Sequence, residues 1–195
     1  MPKQTITEFD SWSIVNSSIQ FIKSGAQQPG EKFGSVGTIS FEPETSTLQK
    51  KEGRVVTKEK IVTTKLNVSV SAHIPVTVAR DFFGLTNDGL KPGIYSYGEG
   101  SLGRDFVWTA DVVDVFEEVT KLIAFPKASN SAGLTLSIDA TQEELALLEL
   151  TFSAVADSAG QFYYEALVPE LEDPTIADKW HTEFNRTLIA APDTP

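Results

Sequence analysis

The sequence predicts a mainly β fold with one short helix, and three observations carry that expectation. Apolar and polar residues alternate in several separate segments, glycine- and proline-rich stretches punctuate them, and a single segment carries helix start and stop signals without a competing strand pattern. The clearest strand is Leu66–Ile74, where Leu66, Val68, Val70, Ala72 and Ile74 alternate with Asn67, Ser69, Ser71 and His73. The helix follows over Pro75–Phe83, with proline near its first turn and Gly84 as a stop. Asp105–Val113 places Phe106, Trp108, Ala110 and Val112 on one face, and Lys121–Phe125 is rich in β-favouring residues. With Glu117 and Glu118 between them, these two segments read as a hairpin.

Leu134–Asp139 alternates again and reads as a further strand. Ala146–Ala156 fits two templates. Thr141 with Glu144 resembles a capping box, and Leu145, Leu148 and Phe152 recur at helical spacing. Strict alternation from Ala146 to Ala156 favours a strand, because Asp157-Ser158-Ala159-Gly160 then turns the chain into Phe162, Tyr163 and Tyr164. Gly25–Gly37 reads as a loop and Gly84–Gly103 as the long connection between helix and hairpin. Glu42–Lys60 is polar around Gly53 and suits an exposed hairpin or arm. Pro169–Pro195 lacks periodicity, so both chain ends read as arms.

The 195 residues, 41% hydrophobic and 22% charged, have globular composition and enough length for a sizeable core. No run of about 18 apolar residues occurs and the start lacks the order of a signal peptide, so neither a membrane span nor export is expected. The absence of cysteine excludes disulfides and thiolate sites, and two histidines are too few for a multi-histidine metal centre. A net charge of −11 argues against tight binding to DNA phosphates. That charge is unevenly placed: from Asp139 onward twelve acids face only Lys179 and Arg186, while Gln49–Lys65 carries Lys50, Lys51, Arg54, Lys58, Lys60 and Lys65 against Glu52 and Glu59.

No catalytic, cofactor-binding or metal-binding residue is assigned. His73 lies on the polar face of its strand, with no nucleophile or carboxylate marked beside it by motif. His181, within Lys179-Trp180-His181, reads as a contact residue or as one without a role. Asp111 and Asp114, three positions apart on a strand, face opposite ways and make a poor acid–base pair, and Glu117-Glu118 and Glu143-Glu144 read as charges at turns or element ends. Gly98, Gly100 and Gly103 match the spacing of a dinucleotide fingerprint, but the segment after them is strand-like, whereas that fingerprint needs a helix start. Trp108, Phe125, Phe152, Phe162, Tyr163 and Tyr164 read as core and interface residues rather than base-stacking platforms, since acids rather than Lys and Arg surround them.

One stretch is distinctive as text: KLNVSVSAHIPVTVARDFFGL, GLKPGIYSYG, FVWTADVVDVFEEVTKLIAFPKAS, GLTLSID, LALLELTFSAVAD and GQFYYEA. From about Lys65 to Ala166 it resembles the major tail protein (tail tube protein) family of long, non-contractile-tailed bacteriophages. In that family a strand enters a short helix, a hairpin of the form V-x-D…K-L-I-x-F-P-x-A follows, and a strand L-x-L-T-F-x-A-x-x-D closes on an aromatic F-Y-Y-E. The resemblance implies a two-sheet antiparallel β-sandwich or open barrel with one short flanking helix, an extended loop and terminal arms. It divides the chain into an amino-terminal arm or strand (1–32), a β-sandwich domain (33–168) with an extended loop at 42–60, and a carboxyl-terminal arm (169–195).

The resemblance further implies a structural virion protein without enzymatic activity or cofactor, located in the tail and assembled in the host cytoplasm. Copies would form stacked rings, usually of six, around a conduit through which double-stranded DNA passes without specific binding. Its partners would be itself and the tape-measure, tail-terminator and distal tail proteins, with no membrane. The charge asymmetry then suggests a ring-stacking contact between Lys50, Lys51, Arg54, Lys58 and Lys60 and the acids Glu170, Glu172, Asp173 and Asp178. Two rival expectations are a β-sandwich binding or adhesion module of a virion baseplate and the inner-tube protein of a contractile tail or injection system.

Overall fold

Alternation of the Leu66–Ile74 kind needs strand neighbours and a core beneath one face. The computed structural model, which describes residues 5–116, 118–135 and 147–191, supplies both. Its strands are β1 Ser11–Lys23, β2 Ala26–Gln27, β3 Glu31–Glu52, β4 Val55–His73, β5 Phe106–Asp114, β6 Thr120–Asn130, β7 Leu148–Ala154 and β8 Tyr164–Leu167. Helix α1 is Val76–Phe83; a 3₁₀ turn (Val168–Glu170) and the short helices α2 (Thr175–Trp180) and α3 (Arg186–Ile189) follow the last strand. The chain is thus mainly β.

All pairings are antiparallel, and they run in a circuit: β1 to β3, β3 to β4, β4 to β7, β7 to β6, β6 to β5, and β5 back to β1. Six strands therefore close on themselves. Two seams are short, Ser17–Ile19 against Glu31–Gly34 and Ala128–Asn130 against Phe152–Ala154, and these act as corners. Between the corners, β1–β5–β6 and β3–β4–β7 form the two layers of a flattened barrel or sandwich. β8 extends the first layer beside Lys121–Ala124.

The core lies between the layers. Val68, Val70 and Ala72 of β4 meet Leu150, Phe152 and Ala154 of β7, and Ile19, Phe21, Phe106, Trp108 and Phe125 come from the facing layer. Trp108, fully buried, stands edge-on to Phe33 at 5.8 Å and lies 6.0 and 6.1 Å from Phe125 and Phe152. Such aromatic contacts each add about 0.5–1.5 kcal/mol beyond the area they bury. Helix α1 runs as the sequence predicts, ends at Gly84 with φ 72, and buries Val78, Phe82 and Phe83 against the core. The predicted turn is also present: the Asp157 carboxylate accepts from the amides of Ala159 and Gln161 at 2.8 and 3.0 Å.

Several expectations change. Gly25–Gly37 is not one loop, since β2 and the start of β3 occupy much of it. Phe33 anchors β3 in the core, and at Gly34 (φ 137) a Cβ would overlap the His73 carbonyl oxygen. That glycine marks a close backbone approach inside a strand. The strand expected at Leu134–Asp139 has Leu134 and Thr135 in coil, and its remainder lies outside the described residues, as do Thr141, Glu143, Glu144 and Glu117. The glycines of GEGSLG sit in coil that leads into β5, with no helix start behind them.

The carboxyl-terminal segment is not a free arm. Trp180 and Phe184 are buried and form a second core with Val107, Leu122 and Ala124 on the outer face of β5 and β6. Polar groups fix the dock: the Trp180 indole donates to the Ile123 carbonyl at 3.0 Å, Ser18 Oγ to the His181 carbonyl at 2.7 Å, and the Gly30 amide to the Thr182 carbonyl at 2.8 Å. Any side chain at Gly30 would overlap the His181 carbonyl oxygen. The amino-terminal segment likewise contributes β1, which is central to the circuit.

Two outcomes follow from this packing. Trp180→Ala should cost about 3–5 kcal/mol in urea unfolding, and a chain ending at Glu172 should lose stability comparably rather than fold unchanged. Asp81 bonds Lys23 Nζ and Arg104 Nε, each at 3.0 Å, joining α1 to the end of β1 and the approach to β5. Burial opposes ionisation of Asp81, yet the hydrogen bonds from Lys23 and Arg104 outweigh it and hold the carboxyl below its usual value. The folded state thus prefers the charged form, so this contribution is complete above the ordinary carboxylate pKa and is lost as pH falls through the lower folded value. Asp81→Asn should lower stability at neutral pH and flatten its fall below about pH 4, as measured by urea unfolding across a pH series.

Candidate functional site

Beyond the barrel, β3 and β4 continue as a two-stranded arm. Pairing runs from Glu42 opposite Asn67 to Glu52 opposite Val55, and every residue from Ser40 to Ile61 is exposed. The turn is two residues, Gly53-Arg54, with Gly53 at φ 64 in the first central position, as a type II′ hairpin requires. From Phe41 at its base to Gly53 at its tip the arm reaches about 40 Å at the rise of an extended strand. Glu44 braces the base, where Lys65 bonds its carboxylate at 3.2 Å and Asn67 at 3.3 Å. The hydrogen bond from Lys65, then that from Asn67, holds the Glu44 carboxyl below its usual value.

Residues opposite one another in an antiparallel pair share a face. Leu48 opposite Lys60 and Lys50 opposite Lys58 therefore crowd three ammonium groups onto one side, while Thr47 opposite Ile61 and Gln49 opposite Glu59 occupy the other. Lys50 reaches Glu52 at 3.6 Å. The arm also exposes apolar side chains, with Leu48 at 59%, Val55 at 65% and Ile61 at 65% of their full surface. The basic residues singled out from the sequence are thus gathered on one protruding element.

The acidic residues singled out with them lie elsewhere: Glu170 ends the 3₁₀ turn, Glu172 and Asp173 lie between it and α2, and Asp178 is in α2. Glu170 Oε1 accepts the Ile6 amide at 3.1 Å, and Asp173 Oδ1 accepts the Thr175 hydroxyl at 2.7 Å and amide at 2.9 Å. Those Thr175 hydrogen bonds, the hydroxyl foremost, lower the Asp173 carboxyl pKa. Glu172 and Asp178 are exposed. Glu170 thus ties the amino-terminal segment to the 3₁₀ turn and Asp173 fixes the start of α2, and within one chain the basic and acidic sets sit on separate elements.

A feature the sequence reading did not find lies at the base of the arm. β1 and β3 pair only over their Ser17–Ile19 and Glu31–Gly34 stretches, then diverge, leaving a groove of about 490 Å³ lined by Trp12, Ile14, Ile39, Phe41, Val112 and Tyr163, with Lys121 and Glu165 at one side. Tyr163 donates to Glu165 at 2.9 Å; burial, then this carboxylate, pushes the phenol pKa well above its usual value. Phe41 and Tyr163 stack at 5.2 Å. Their wide sequence separation hides this wall from any periodicity argument.

His181 also has a place that periodicity could not give it. Its Nε2 meets Asp111 Oδ1 at 2.7 Å and its Nδ1 meets Thr109 Oγ1 at 2.9 Å. A hydroxyl–imidazole–carboxylate line is the skeleton of many nucleophilic sites, but here Thr109 is fully buried. The line fastens the carboxyl-terminal segment. His73, by contrast, is exposed, and Asp114 Oδ1 accepts the Glu118 and Val119 amides in the turn after β5. Among the described residues no helix is long and apolar enough to cross a membrane.

No protein-family model matches the chain, and no curated protein matches it by sequence.

The facing lysines offer a direct test of whether the arm is shaped for itself or for something else. Lys58→Glu replaces a like-charge cross-strand pair by an attractive one and should stabilise the isolated protein by about 0.5 kcal/mol, read as a raised thermal midpoint at low salt.

Proposed function

We propose that the chain is a structural subunit that polymerises into stacked rings around a hollow passage for DNA, the tube of a long-tailed bacteriophage. The observation that carries this reading is the arm. A two-stranded ribbon in water is marginally stable at best, and one that carries exposed Leu48, Val55 and Ile61 beside mutually repelling lysines gains by packing on a partner. A tip and a barrel are different surfaces, so contact between them is head-to-tail, an arrangement that either closes into a ring or continues as a stack. The resemblance over Lys65–Ala166 supplies the identity of the polymer, and the acidic balance suits a wall that nucleic acid must slide along, because each added cation contact would raise affinity.

In this reading the cations of the arm meet acidic surface on the next copy, and tape-measure, terminator and distal tail proteins would bound the stack. Negative-stain microscopy of the concentrated protein should show rings or hollow tubes. A persistent monomer that binds a carbohydrate would instead favour a baseplate binding module. Replacing Lys50, Lys51 and Arg54 together by glutamate should leave a cooperatively folding protein that no longer polymerises, and tubes of unchanged length in micrographs of that variant would contradict the role given to the arm.

A further inference from the structure

The groove between β1 and β3 is an incomplete wall. Over Ser11–Val15, β1 is paired on one side by β5, and beyond Gly34, β3 is paired on one side by β4; no described strand occupies the space between them. Its floor is apolar, yet Trp12 keeps 68% and Phe41 45% of their full surface exposed. Its rim is acidic. Asp10 precedes the lining residue Ser11, Asp114 is the register partner of Ser11, and Glu165 lines the groove directly; Lys121 is the cation among the lining residues and lies 3.8 Å from Glu165.

The tip of the arm has the complementary order. Val55 and Val56 sit beside the turn at 65% and 42% exposure, with Lys51, Arg54 and Lys58 around them. The tip carries Lys51, Arg54 and Lys58 against Glu52, and the groove and the strand ends beside it carry Glu165, Asp10 and Asp114 against Lys121, so an apolar point with a positive balance meets an apolar slot with a negative one: the apolar contact supplies burial and the charge balance supplies orientation. A tip cannot enter the groove of its own chain, because Ile39 and Phe41 at the base of the arm line that groove and the extended ribbon carries the tip about 40 Å from it.

We infer that the groove bounded by Trp12, Ile39, Phe41 and Tyr163 is the receptor for the Val55–Val56 hairpin tip of a second copy of this chain. The inference rests on the self-assembly reading above and adds the receiving surface. It moves the acidic partner of the arm from the α2 region to the groove, where Glu165 lines the apolar surface and the exposed Asp10 directly precedes the lining residue Ser11.

The chain has no cysteine, so single substitutions report the contact cleanly. Ser13→Cys places a thiol at the groove with little change in volume, and Val55→Cys places one at an exposed tip position. Mixed under assembly conditions and oxidised, the two variants should give a disulfide-linked heterodimer on a non-reducing gel. Val55→Cys mixed with Leu102→Cys, whose side chain is exposed outside the groove, should lose that band. Arg54→Glu should weaken polymerisation, and Asp10→Arg in the same chain should restore it, which a merely structural role for either residue would not produce. Circular dichroism of each variant checks folding. Tubes that form from the cysteine variants without the heterodimer, or an Arg54→Glu defect that Asp10→Arg fails to rescue, would overturn the groove assignment while leaving the tube reading intact. A wild-type protein that stays monomeric at all concentrations would overturn both.

Discussion

At Asn16 the backbone of β1 enters the left-handed region, with φ 49, and the register against β5 slips between Val15 and Ser18. Asparagine tolerates this conformation better than most residues, and its side-chain amide donates to Asp111 Oδ2 at 2.9 Å. The other Asp111 oxygen is taken by His181. One carboxylate therefore joins the bend in β1, the middle of β5 and the carboxyl-terminal segment. The bend lets β1 serve two neighbours: its later residues seal the barrel to β3, and its earlier residues turn away and leave the groove open. Closure, groove and dock share this small polar cluster, whose members Ser18, Gln20, Thr109 and Asp111 are buried yet hydrogen-bonded, as burial of polar groups demands.

Much of the fold was legible because it rests on local pattern. Leu66–Ile74 alternates since one face of β4 covers the core, and within the predicted Ala146–Ala156 strand Leu148–Ala154 forms β7 because its alternate residues Leu150, Phe152 and Ala154 pack into the same core. Pattern failed where a segment is buried on both sides. In β5, Phe106, Trp108 and Ala110 face inward while Val107, Thr109 and Asp111 are also covered, and the cover comes from Trp180–Phe184, which has no period of its own. The near-continuous burial of Phe-Val-Trp-Thr-Ala-Asp was the available signal for an outer layer. Glycine misled in the other direction: Gly34 reads as a loop residue, but it sits inside β3 because the β4 carbonyl at His73 comes too close for a side chain. For the candidate site, the basic segment was visible as composition, whereas the groove depends on residues from five strands and the loop before β8, and no stretch of sequence displays it.

The arm and the body follow different physical rules. The body is held by interlocked aromatic rings and by ladders whose residues are shielded from water, so its stability is set within the chain. The arm is held by backbone pairing, a few exposed side-chain bonds and the brace at Glu44, and its charges are arranged against its own stability. Exposed ion pairs such as Lys50 with Glu52 contribute little in water. An element with that balance has more to gain from a partner than the rest of the described body does, so under the assembly proposed above the driving force would be concentrated at the far end of the β3–β4 hairpin.

The hydrogen bond between Ser18 and the His181 carbonyl spans nearly the whole polypeptide. On a ribosome, which releases residues from the amino terminus first, β1 waits for β5 to emerge before the barrel seals, and the outer face of β5 and β6 waits longer for Trp180. Such distant pairings hold back completion of the body until nearly all of the chain has been made. A nascent chain therefore has the residues of its arm, with Lys50, Lys58 and Lys60 on one side, well before its body is finished.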